Sequence, residues 1–102
     1  MVELYKLWHE FLPHFPKTSR YTLGGKIDAL FLDVLEFLFT ASYLPKNQKL
    51  SILLKAQNKL DLIKFFIQIV WESKIIDTKK YIHLSNPLHE TSKMLGGWIK
   101  SL

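Results

Sequence analysis

The stretch that decides the fold is Lys46–Ser73, KNQKLSILLKAQNKLDLIKFFIQIVWES. In its second half the polar residues Gln57, Asp61, Lys64, Gln68 and Glu72 are spaced four, three, four and four apart. At about 100° per residue these five fall within roughly 80° of one another, which predicts one long helix with a narrow polar strip. Leu60, Leu62, Ile63, Phe65, Phe66, Ile67, Ile69, Val70 and Trp71 take up the rest of its circumference. A helix on the outside of a small bundle needs an apolar arc only a little over about 100° wide. The excess predicts a central helix touching two neighbours and, beyond that, a subunit interface. The line Ile63, Phe66, Val70 is assigned to that interface.

Reading towards the N-terminus, Pro45 opens this helix and closes the one before it. Ile27, Leu30, Phe31, Val34, Leu35, Leu38, Phe39 and Ser42 mark an apolar stripe there, with Lys26, Asp33, Glu36 and Thr40 opposite. Thr22 is the expected N-cap, at the end of a linker PHFPKTSRYT over residues 13–22. Before the linker, Leu4, Tyr5, Trp8, Phe11 and Leu12 follow helical spacing and define a short helix, Val2–Leu12, which Pro13 and Pro16 stop. Towards the C-terminus, Thr78–Ser101 forms a fourth helix with Tyr81, Leu84, Leu88, Leu95, Trp98, Ile99 and Leu102 on one side. Pro87 inside it predicts a kink or a short break. Nothing alternates as a strand does. The expected fold is all-α: one domain over residues 1–102, an up-down four-helix bundle with a short first helix, assembling into a homo-oligomeric barrel.

Composition narrows the function. Hydrophobic residues make up 48% of the 102 residues and charged residues 23%, which excludes disorder. With no cysteine there is no disulfide scaffold, thiolate metal site or cysteine nucleophile. The N-terminus lacks the unbroken apolar run of a signal peptide, and Leu60–Trp71 is too short and too charged to span a bilayer. A soluble, cytoplasmic protein with no membrane association is expected.

Catalytic chemistry finds no constellation. His9 and His14 are five residues apart and His83 and His89 six, so neither pair shares a helix face. No metal, cofactor or small-molecule substrate is expected, and no enzyme activity. Asp28, on the shoulder of the apolar stripe, reads as a structural acid, and Asp61 with Lys64 as a surface pair. The pairs Gly24-Gly25 and Gly96-Gly97 lack the strand-to-helix context and glycine spacing of a phosphate loop. They read as points of close helix approach, with Trp98 lying across a neighbour where Gly96 and Gly97 leave room.

Charge is the remaining signal. The chain carries fourteen Lys and Arg against nine Asp and Glu, a net charge of +5. Residues 46–102 hold ten of these bases and only four of the acids. Lys46, Lys49, Lys55 and Lys59 precede any acid in the third helix, and Lys17 with Arg20 forms a second basic spot in the linker. These six are the candidate phosphate contacts. Repetition around an oligomer would turn them into a ring of charge for RNA or DNA.

Two segments carry a family resemblance. Phe15-Pro16-Lys17-Thr18-Ser19-Arg20-Tyr21-Thr22-Leu23-Gly24 resembles the FPK-x-x-R-[FY]-x-L-G stretch of the accessory variability determinant (Avd) proteins of diversity-generating retroelements. Ser92-Lys93-Met94-Leu95-Gly96-Gly97-Trp98-Ile99-Lys100 resembles that family's closing segment. Ala41-Ser42-Tyr43 and Lys59-Leu60-Asp61 also fit, and the similarity covers about residues 8–102. One departure is Ser92 where the family usually has glycine, and Pro87 is another. The resemblance implies a four-helix bundle that assembles as a barrel-like homopentamer and binds nucleic acid. It also implies association with the retroelement's reverse transcriptase, in support of template-RNA-primed mutagenic cDNA synthesis, without a catalytic site. The alternative is a stand-alone structural or scaffolding bundle, similar to those encoded in intervening sequences of ribosomal RNA genes.

Overall fold

The computed structural model describes all 102 residues. Helix α1 spans Val2–Phe11 and runs into a 3₁₀ turn, Leu12–His14. Pro13 fits near the start of that turn, where a missing N–H costs nothing. Phe15 is extended and Pro16 caps a helical turn, Lys17–Ser19. From Lys17 to Tyr43 the chain stays helical. A π-helical segment, Arg20–Gly24, leads directly into α2, Gly25–Tyr43. The expected linker over residues 13–22 therefore ends at Pro16, and Thr22 is not an N-cap. Its hydroxyl instead donates to the carbonyl of Thr18 at 3.0 Å, inside the helix.

Leu44 is extended, as a residue before proline prefers, and Pro45 starts α3, Lys46–Glu72. At the far end Lys74 is left-handed, with φ 62°. Its N–H reaches the carbonyl of Trp71 at 2.9 Å and that of Ile75 reaches Val70 at 3.0 Å, the two bonds of a Schellman turn. Asp77 then caps α4, Thr78–Lys100, by accepting from the Lys80 N–H at 2.8 Å. Helix α4 continues unbroken through Pro87, so the expected break does not occur.

Four helices and no strand result. Helix α3 packs against α2 on one side and α4 on the other, while α1 lies across α2 and α4. The long axis of the molecule, 43 Å, is close to the ~40 Å of a 27-residue helix such as α3. All eighteen residues of the buried core cluster are apolar. Trp8, Ile27, Leu30, Phe31, Val34, Leu53, Leu60, Ile67, Leu84 and Leu88 form its centre.

Two expectations about apolar faces are corrected by this packing. Ile63 and Val70 are fully buried within the chain, and Phe66 packs partly buried against the same core. That line faces inward, because contact with two neighbours takes up the wide arc of α3; Ile63 and Val70 offer no surface to another subunit, and only Phe66 keeps part of its side chain exposed. On α2 the stripe holds at Ile27, Leu30, Phe31 and Val34, but Phe39 and Ser42 turn outward and Ala41 takes the inner position. No helix is long and apolar enough to cross a membrane.

Candidate nucleic-acid interface

The basic residues of α3 occupy different settings. Lys46 lies in the first turn, which contains no acid. A cation there opposes the helix dipole, so helix stability does not account for it. Lys46 and Lys55 are both exposed, and neither takes part in an ion pair. Lys49 is half-buried, with its Nζ 5.6 Å from the centre of the Trp98 ring. Lys59 reaches across to α2 and pairs with Asp33 at 3.8 Å. Lys55 and Lys59 remain one turn apart on α3, but the Asp33 carboxylate offsets part of the charge.

The second basic spot divides. Lys17 is exposed, whereas Arg20 is a clasp. Its Nη2 donates to the carbonyl of Pro13 at 2.8 Å and to that of Phe15 at 3.2 Å, closing the turn between α1 and the helical segment that leads into α2. Both bonds use Nη2, two of the five N–H donors, so Arg20 has a structural role in this turn beside the phosphate contact expected from the sequence. Sequence spacing held one clue to this: two prolines just upstream leave carbonyls in a turn with no helical donor nearby.

The glycines also separate. A Cβ on Gly24 would come within 2.6 Å of Leu12 Cδ1 and 3.3 Å of the Ser19 carbonyl oxygen, so close approach explains this residue. At Gly96 and Gly97 a Cβ would meet nothing within 4 Å. No helix closes on that pair, and Trp98 owes its half-buried position to the core and to Lys49. The expectation of close packing at Gly96-Gly97 is corrected.

Asp28 accepts a hydrogen bond from the Trp8 Nε1–H at 3.2 Å and serves structure. Burial, then the Asp28 carboxylate as hydrogen-bond partner and as charge, raises the Tyr5 hydroxyl above its ordinary pKa. Asp61 and Lys64 pair at 3.8 Å on the surface. No group of three or more His, Asp and Glu residues is gathered closely enough to hold a metal ion.

One feature escaped the pattern of apolar spacing. Trp71, in the last turn of α3, stacks on Tyr81, in the first turn of α4, at 4.4 Å and 7°. The indole N–H donates to the Thr78 hydroxyl at 3.2 Å. Two aromatics placed on either side of a short helix connection were the available signal.

A protein-family model described as bAvd-like matches residues 1–102. No curated protein and no solved structure matches the chain.

Proposed function

Since the chain belongs to the bAvd-like family along its whole length, we propose that it is a non-catalytic, nucleic-acid-binding accessory protein of a diversity-generating retroelement. In this reading it associates with the element's reverse transcriptase in the cytoplasm and supports mutagenic cDNA synthesis primed on template RNA. The whole-chain family match carries the proposal. The lysines of Lys46–Lys59 support it, since Lys46 and Lys55 stand exposed without a carboxylate partner. Lysine is a point charge suited to phosphate, whereas base reading favours the bidentate Arg, Asn or Gln. Binding is therefore electrostatic and blind to sequence.

A homopentameric ring, the assembly that the family resemblance implies, would multiply these contacts. Its apolar contact surface is sought on the outer face of α2, where Leu32, Phe39 and Tyr43 are exposed on one helical line.

Two measurements test the function. Co-purification of the tagged protein with a co-expressed retroelement reverse transcriptase tests the association; failure in the presence of template RNA overturns it. A salt titration of labelled RNA tests the phosphate mode. The log–log slope should approach about −0.7 per single-strand phosphate contacted. An affinity that does not depend on salt overturns that mode.

A further inference from the structure

The first turns of α3 and the last turns of α4 are neighbours. Lys49 Nζ lies 5.6 Å from the centre of the Trp98 ring, and Lys46, Asn47 and Leu50 share a groove with Ile99 and Leu102. Neither segment carries an acidic side chain: the sequence has none between Glu36 and Asp61 and none after Glu90. The last turns of α4 add two cations, Lys93 and Lys100, to those of α3. Both are exposed, and neither takes part in an ion pair. Glu3, which enters this end of the bundle with α1, brings its own counter-charge in Lys6 at 3.9 Å.

The turn between α3 and α4, at the other end, is mixed in charge. Lys74, Lys79 and Lys80 stand there among Glu72 and Asp77, and Glu72, Lys74 and Asp77 line one groove. Positive charge without nearby carboxylates is therefore a property of one end only.

The surface of α4 also narrows the kind of partner. Lys93, Gly97 and Lys100 are four and three residues apart and form one line on the helix. That line carries no apolar side chain. Protein partners draw most of their binding energy from a few buried anchors, such as Trp and Tyr, and this line offers them none. Compact ammonium charges spaced along a helix suit the phosphates of a strand.

We propose that nucleic acid is held at this end of the bundle across both helices, with Lys93 and Lys100 of α4 as phosphate contacts beside Lys46 of α3. The end that carries Lys74, Lys79 and Lys80 takes no part. The proposal rests on the nucleic-acid-binding reading and gives it a second helix and a direction along the molecule.

The test compares wild type with two double variants that change the net charge equally: Lys93→Glu with Lys100→Glu, and Lys79→Glu with Lys80→Glu. Fluorescence anisotropy of a labelled oligouridine of about 12 nucleotides reads the affinity over a series of salt concentrations. The Lys93/Lys100 double should weaken binding at least about tenfold at about 0.1 M salt, and lower the log–log slope by about 0.7 for each contact removed. The Lys79/Lys80 double should weaken it no more than about threefold, through long-range charge alone, and keep the wild-type slope. Equal losses in the two doubles would show that total charge sets the affinity; that outcome overturns the assignment and leaves the electrostatic reading standing. Full binding by the Lys93/Lys100 double also overturns it. Wild type that fails to bind even at low salt overturns the nucleic-acid reading itself. Should the first double fail to fold, Lys93→Gln with Lys100→Gln, which keeps good helix formers at both positions, decides by the same slope.

Discussion

Trp8 Nε1 donates to Asp28 Oδ1 at 3.2 Å, a bond that ties the short first helix to α2 across twenty residues of sequence. Trp8 is fully buried and also stacks on Phe31. The indole N–H therefore has one partner and no access to water. Asp28→Ala should lower stability by about 1.5–3 kcal/mol, the scale for a lost bond to a charged acceptor that leaves its donor buried. Urea unfolding reads the effect, and a midpoint equal to that of wild type would contradict the assignment.

The same carboxylate sets a pH dependence. Tyr5 is neutral when protonated and its hydroxyl titrates above the unfolded value of 10.0, through burial first and Asp28 second. A raised pKa for such a group means that the folded state holds its proton more tightly. The contribution is fully present below pH 10.0 and is lost as pH rises through the folded pKa. Stability should fall in that alkaline window, and by less in Tyr5→Phe. Thermal melts of the two proteins between neutral pH and the alkaline side check this. Parallel curves would rule it out.

The glycines should respond with opposite signs. Gly24→Ala places a methyl group against Leu12, the Ser19 carbonyl and buried Phe15, and should cost about 1–3 kcal/mol through overpacking. Gly97→Ala enters open space on a helix and should stabilise by up to about 1 kcal/mol. Two urea midpoints that move apart meet the expectation. Loss of stability in Gly97→Ala would show that the pair is covered in the assembled protein.

Arg20 and Lys55 should divide stability from binding. Arg20→Ala releases the carbonyls of Pro13 and Phe15, and should lower stability by about 1–3 kcal/mol while RNA affinity in folded protein is retained. Lys55→Glu removes an exposed, unpaired cation. It should keep stability within about 0.5 kcal/mol, weaken RNA binding across all sequences and flatten the salt slope. If Arg20→Ala weakened binding and Lys55→Glu did not, the interface would have to move to the Lys17 side.

Phe39 is 70% exposed and meets Tyr43 edge-on at 5.6 Å, on the same outer line of α2 as Leu32. If this face closes the proposed ring, Phe39→Asp should convert the oligomer into a monomer with unchanged helicity, because the side chain contributes little to the core. Sedimentation equilibrium at micromolar concentration measures it. A wild-type monomer, or an oligomer indifferent to the substitution, would remove this face from the assembly.

Local periodicity and proline placement settled the number of helices, and most of their ends, from the sequence alone. The spacing of Gln57, Asp61, Lys64, Gln68 and Glu72 is a property of neighbours along one helix, and so is the dipeptide Leu44-Pro45 that separates α2 from α3. Such signals need no tertiary contact. The helical run from Lys17 to Gly24 was not legible in this way. It depends on Arg20 reaching back to Pro13 and on Gly24 admitting Leu12 and Phe15, contacts that form only when α1 folds over. The site followed the same division. Sequence located the lysines, but only the packed bundle decided that Lys59 faces Asp33, that Lys49 lies over Trp98 and that Lys46 and Lys55 remain free. It also decided that Ile63 and Val70 belong to the core of one chain rather than to a contact between two. An apolar arc states how much surface must be covered; which body covers it is set by the neighbouring helices, and their positions depend on distances between residues remote in sequence.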